Sequence, residues 1–99
     1  MLLNPYLIFS YEFLGDVLFD AGETEDAIKS YNKAIALDRQ YEPTLMKRGR
    51  AYRKMNQYNW ANKDFTRVIG IDPGNPAGYL ERGSARHAAG QVTLAGAGG

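Results

Sequence analysis

The stretch Thr44–Ile71, TLMKRGRAYRKMNQYNWANKDFTRVIGI, decides the fold. Its first half sets Leu45, Gly49 and Tyr52 at steps of four and three, which lines them up on one helical face. Its second half does the same with Tyr58, Ala61, Phe65, Val68 and Ile69. Between the two lies KMNQYN, short and polar, which reads as a helix–helix turn. A turn that short forces the two helices to be antiparallel neighbours. The result is an αα-hairpin whose apolar face needs further helices to cover it.

Working outward, the pattern recurs. Gly15, Gly49 and Gly83 are evenly spaced along the chain, and the interval between them is the period of the repeat. Tyr11, Leu45 and Tyr79 lie four before each glycine, Ala27 and Ala61 twelve after, and Tyr31 and Phe65 four beyond the alanines. Asp38 and Asp72 close the unit. Self-similarity at such a period marks a stacked helical array. The glycines and alanines are small, so paired helices can approach closely, and the rings of Tyr31 and Phe65 fill the space beside them. The stretch Gly70–Gly83, GIDPGNPAGYLERG, then reads as the boundary between a second and a third unit. Pro73 ends one helix, Asn75 caps the next, and Pro76 takes its first position, where a missing N–H costs nothing. The pattern predicts helices over about 6–21, 25–38, 41–55, 59–71 and 76–89, and no sheet.

Composition limits the function. Ninety-nine residues allow one small domain. Twelve basic and 11 acidic side chains leave a net charge of +1, which argues against nucleic acid or an anionic membrane as the main partner. An RNA-binding helical repeat would want a basic face along the whole array. With no cysteine there is no disulfide framework or thiolate metal site, and the compartment stays open with a lean towards cytoplasm. No apolar run reaches the roughly 18–20 residues that span a bilayer. The opening MLLNPYLIFSYEFL lacks a basic start and a small-residue cleavage site, and Glu12 interrupts it, so it does not read as a signal peptide.

Chemistry is sparse. His87 is the only histidine and has no placed carboxylate or nucleophile, so it reads as a solvated side chain. Glu23, Glu25 and Asp26 sit at a helix start, where negative charge suits the macrodipole. Glu12, Asp16 and Asp20 share a helix face without converging as metal ligands. The glycines recur as a packing column and form no phosphate loop. Neither catalysis nor any cofactor or metal is expected.

The chain resembles the tetratricopeptide (TPR) repeat, a 34-residue motif with the pattern W-x2-L-G-x2-Y, then A-x3-F, then P. The middle unit matches best, with Leu45, Gly49, Tyr52, Ala61, Phe65 and Pro73 in place and Arg48 where leucine is usual. The first unit offers Tyr11, Leu14, Gly15, Leu18, Ala27 and Tyr31, with Arg39 in place of proline. The third keeps Tyr79 and Gly83 but departs at Arg82 and Arg86. The resemblance implies an all-α fold, a right-handed superhelix of antiparallel hairpins in about two and a half repeats. Residues 1–7 would be the last turn of a preceding repeat or linker, 8–41 and 42–75 the two complete units, 76–91 the first helix of a third, and 92–99 a frayed or truncated tail. Asn4-Pro5 falls under Asp38-Arg39 and Asp72-Pro73, and Ala95 under Ala61, so the chain reads as a piece of a longer array.

The resemblance also implies a function: a scaffold whose first helices line a concave groove that takes a peptide segment of a partner. The groove positions would be Phe9, Glu12, Phe13, Asp16, Phe19 and Asp20, then Met46, Lys47, Arg50, Arg53 and Lys54, then Leu80, Glu81, Ser84 and His87. Some family members clamp the C-terminal carboxylates of chaperones with basic residues. Here Glu12 and Asp16 stand at first-unit clamp positions, and Ala77 and Glu81 at third-unit ones, so that specificity is not expected. The alternative is an architectural segment of a larger solenoid, or of a TPR-containing enzyme, with no ligand of its own. Equal offsets predict Asp16 beside Arg50 and Asp20 beside Lys54, with Arg53 over the Phe19 ring. Such a groove favours a segment of mixed charge. Trp60 is expected to be partly exposed on the convex side. Self-association is expected through the exposed terminal helices, by twofold pairing of first helices or, as the alternative, by exchange of terminal helices between chains.

Overall fold

A computed structural model describes residues 4–98, with side chains described for Asn4 and for 6–91. Five α-helices follow in order: α1 (Pro5–Asp20), α2 (Thr24–Leu37), α3 (Glu42–Lys54), α4 (Tyr58–Ile71) and α5 (Pro76–Gly98). No strand occurs among the described residues. Each helix packs on the next along the chain, α1 on α2 and α3 on α4 as hairpins, with α2 against α3 and α4 against α5 stacking one hairpin on the next.

Local chemistry sets the boundaries. Asn4 caps α1, its Oδ1 accepting from the Tyr6 amide at 2.9 Å, and Asn75 caps α5 through the Ala77 amide at 3.0 Å. In both cases proline opens the helix. Asn4-Pro5 therefore begins α1, which corrects its reading as the end of an earlier helix; Leu2 and Leu3 lie outside the described residues. The hairpin turns rest on Gly22 (φ 84) and Asn56 (φ 62), left-handed conformations at equivalent places in the two units.

The core forms where the repeat columns meet. Ala27, Ala61, Leu45, Phe65 and Val68 are completely buried, and Tyr31 nearly so. Gly15 lies under the Tyr31 ring and Gly49 under the Phe65 ring, so close that a β-carbon at either would overlap the ring. Here glycine is required by approach.

The fifth helix departs from expectation. The pattern predicts an end near residue 89, yet the helix runs to Gly98. Gly90 stands one repeat after Asn56, at the turn position, but the helix passes through it. In α2 and α4 a ring folds back onto the preceding helix and holds the turn closed. The corresponding place, residue 99, is glycine. No ring therefore stands at that place in the sequence. Ala95, matched to Ala61 by spacing, has its side chain outside the described residues.

Candidate functional site

The first helices α1, α3 and α5 carry the candidate groove residues, and the structure brings most of them together. Glu12 and Asp16 of α1 converge on Lys47 of α3: the ammonium donates to Glu12 Oε1 and, at 2.8 Å, to Asp16 Oδ2. Burial opposes the Lys47 charge, but the hydrogen bonds to Asp16 and Glu12 outweigh it and raise its pKa above the ordinary value. The Thr44 hydroxyl donates to Glu12 Oε2 at 3.2 Å, and Tyr31 Oη donates to Asp16 Oδ1 at 2.7 Å. Burial and then the Asp16 bond push the Tyr31 phenol well above its ordinary pKa.

On the other side of α3, Arg53 Nη1 lies 2.8 Å and Arg50 Nε 3.3 Å from Glu81 Oε2 of α5. These are ion pairs without hydrogen-bond alignment. The groove thus alternates acid, base, acid across α1, α3 and α5. Among these groups lies a cleft of about 270 Å³, lined by Asp16, Phe19, Asp20, Tyr31, Lys47 and Arg50.

The expected register of the pairs is corrected. Asp16 pairs with Lys47 and not Arg50, and Lys54 sits 4.6 Å from the Phe19 ring centroid instead of beside Asp20. Arg53 lies over Phe65, 5.8 Å from its centroid, and not over Phe19. Residues at equal offsets point the same way on their helices and cannot face each other. Between α1 and α3 the hydrogen-bonded side chains are 31, 32 or 35 apart, as in Asp16–Lys47, Glu12–Thr44 and Glu12–Lys47.

Other candidates divide by burial. Phe9 (54% exposed) meets Tyr41 edge-on at 6.0 Å, Phe13 and Leu80 are each 70% exposed, and Ser84 and His87 are exposed. Phe13 is therefore surface and not core. His87 Nε2 lies 3.1 Å from Gln91 Nε2. Met46 is a correction: it is 7% exposed and packs in the core with Leu45, Phe65 and Ala85, because α5 covers that side of α3. Two contributors lie outside the sequence candidates. The repeat spacing marks Tyr31 only as a packing ring, although a tyrosine in place of phenylalanine signals a hydroxyl to be placed. Thr44 is fully buried beneath the Glu12 carboxylate.

A second polar cluster lies away from the groove. Arg48 grips Asp64 through Nε (2.9 Å) and Nη2 (2.7 Å) and donates Nη1 to Asn32 Oδ1 at 2.9 Å. Burial opposes its charge, but the paired bonds to Asp64 raise its pKa. Trp60 is 55% exposed, as expected, stacked on Tyr52 at 6.2 Å with Lys63 4.5 Å from its ring centroid. Among the described residues no three His, Cys, Asp or Glu side chains gather as metal ligands. No helix among them is long and apolar enough to cross a membrane.

A repeating hairpin of this geometry, with small residues under rings and a groove of first helices, defines a class, the helical-repeat solenoids. Within that class, the chain belongs to the tetratricopeptide repeat family. It matches the family's "Tetratricopeptide repeat" over residues 46–97 and a "TPR repeat" over 15–52. It is similar to the second TPR domain of human RPAP3, solved in complex with the HSP70 peptide SGPTIEEVD (31% identity, TM-score 0.80, covering 93% of this chain and 78% of that one). It is also similar to the second TPR of Spaghetti (RPAP3) bound to the HSP90 peptide SRMEEVD (31% identity, TM-score 0.79, covering 88% and 81%). Among curated proteins it is 35% identical over 69 residues to the Fusarium oxysporum "Tetratricopeptide repeat and J domain-containing co-chaperone DNJ1", covering 70% of this chain and 13% of that protein. It is 41% identical over 51 residues to the mouse peptidyl-prolyl cis-trans isomerase FKBP4, covering 52% and 11%. The chain thus spans a small fraction of the length of these curated relatives.

Proposed function

We propose that the chain is a non-catalytic interaction scaffold whose groove binds a peptide segment of mixed charge. The observation that carries this reading is the cleft lined by Asp16, Phe19, Asp20, Tyr31, Lys47 and Arg50, which offers both signs of charge beside an aromatic floor. Lys47 is already shared by Glu12 and Asp16, whereas Asp20 makes no ion pair among the described residues and Arg50 is 47% exposed. A ligand that places a basic side chain on Asp20 and an acidic one on Arg50 meets complementary charge at both. The peptides bound by the RPAP3 domains end in EEVD. Glu12 and Asp16 add carboxylates to this groove, so a uniformly acidic tail is disfavoured and chaperone-carboxylate clamping is not the specificity proposed.

Anisotropy titrations of a mixed-charge peptide and an acidic EEVD peptide test the reading. The mixed peptide is expected to bind more tightly, and the double variant Asp20→Lys with Arg50→Glu to lose that preference. Tighter binding of the acidic tail by the parent chain overturns it. The apolar face of α1, with Tyr6 (72%), Phe13 (70%), Leu14 (47%) and Val17 (47%) exposed, supports self-association through that helix. Light scattering across a dilution series, with Phe13→Glu as the disrupting variant, checks it.

A further inference from the structure

The face of α3 that α4 covers consists of Leu45, Arg48, Gly49 and Tyr52. Leu45 is completely buried, Arg48 holds Asp64, Gly49 lies under Phe65, and Tyr52 stacks on Trp60. One repeat later the same face of α5 presents Tyr79, Arg82, Gly83 and Arg86. Tyr79 is 47% exposed, and a β-carbon built on Gly83 would meet nothing within 4 Å.

Arg82 repeats half of what Arg48 does. It donates Nη1 to Thr66 Oγ1 at 3.3 Å, just as Arg48 donates to Asn32, each reaching 16 residues back. The forward half is missing: no carboxylate pairs with Arg82 among the described residues. Residues 98 and 99, one repeat on from Asp64 and Phe65, are both glycine. A notch shaped for a ring and a guanidinium lacking its acid therefore sit side by side on one helix face. That face lies apart from the groove side of α5, where Leu80, Glu81, Ser84 and His87 lie.

We propose that this face of α5 receives an amphipathic helix of a protein partner. The helix lies antiparallel to α5 and carries alanine, an acidic residue three positions on, and a phenylalanine or tyrosine next. The molecule supplies the template, since Ala61, Asp64 and Phe65 of α4 fill the equivalent face of α3 in that order. The acid meets Arg82, with Arg86 adding a second positive charge, and the ring enters the notch at Gly83. A second copy of this chain cannot offer the series. It occurs once, in α4, where Ala61 and Phe65 are fully buried and Asp64 is 4% exposed.

The probe is a fluorescein-labelled peptide of the α4 sequence, YNWANKDFTRVIGI, titrated against the full chain by anisotropy. Saturable one-to-one binding is expected. Gly83→Ala adds a methyl in open space on a helix, so the fold is kept or gains stability. The same methyl would collide with an incoming ring, and affinity should fall at least tenfold. Arg82→Glu should weaken binding similarly, and a peptide with arginine at its aspartate position should bind Arg82→Glu better than it binds the parent. Binding that is indifferent to Gly83→Ala and Arg82→Glu would mean that the peptide displaces the chain's own α4, and would overturn the proposal. So would no binding at all, or a dimer of the chain, seen by light scattering, that occupies this face and resists the peptide.

Discussion

The two complete hairpins share a glycine under a ring yet differ in where they anchor their polar groups. In the first, the ring is Tyr31 and its hydroxyl holds Asp16 on the groove side. In the second it is Phe65, which has no hydroxyl, and Arg50, the repeat equivalent of Asp16, instead reaches Glu81. The second hairpin places its strongest polar contact on the opposite side, where Arg48 joins Asp64. The first has Leu14 and Ser30 at those positions, Leu14 half exposed and Ser30 buried. Packing is thus common to the units, whereas polar chemistry distinguishes them.

The largest expected effect tests that asymmetry. Asp64→Ala leaves the Arg48 guanidinium, only 22% exposed, without its carboxylate, and should cost about 3 kcal/mol, the low end for breaking a buried pair. Ser30→Ala, at the matching place, should cost less than about 1 kcal/mol. Urea melts of the two variants check this, and equal losses would break the comparison. Next come Ala27→Leu and Ala61→Leu, each expected to cost about 1–3 kcal/mol through overpacking. Here the hairpins should behave alike, and an unshifted thermal melt for either would place that alanine outside the helix contact.

Tyr31→Phe should cost about 1 kcal/mol for the lost bond to Asp16. The sign of its pH effect follows from the raised phenol pKa. Below the ordinary value of 10.0 the phenol is protonated whether folded or not. Above it the unfolded chain ionises first, so stability falls as pH rises. Denaturation midpoints from pH 8 to 11 should therefore decline less steeply in Tyr31→Phe than in the parent. The smallest effect sought is spectroscopic: iodide should quench the half-exposed indole of Trp60, and an emission that resists quenching would show burial.

The helices were legible because their signals are local. Glycine and ring columns, Asn-Pro openings and short polar turns each act within a few residues, and four of the five helices begin and end within two residues of the expected bounds. The burial of Met46 was hidden because its helix face is wet or dry according to what α5 covers. Ion-pair partners were misread because repeat spacing identifies residues that point alike, and contacts join residues that point at each other. The pattern ends the fifth helix near residue 89, whereas α5 continues through Gly90 to Gly98. Sequence alone sets Glu12, Asp16, Lys47 and Arg50 among the groove candidates, but it reads Tyr31 only as a packing ring and gives Thr44 no role, although their hydroxyls hold Asp16 and Glu12.

The adjacency of every major helix contact carries a kinetic consequence. Each helix forms its main interface with a neighbour in the chain, so closing the fold demands little loop entropy, and rapid folding through local hairpins is expected. Such an array melts as a chain of coupled neighbours and not as one block. Amide exchange should be slowest in α2, α3 and α4, each held from two sides, and faster in α1, which has one major helix contact.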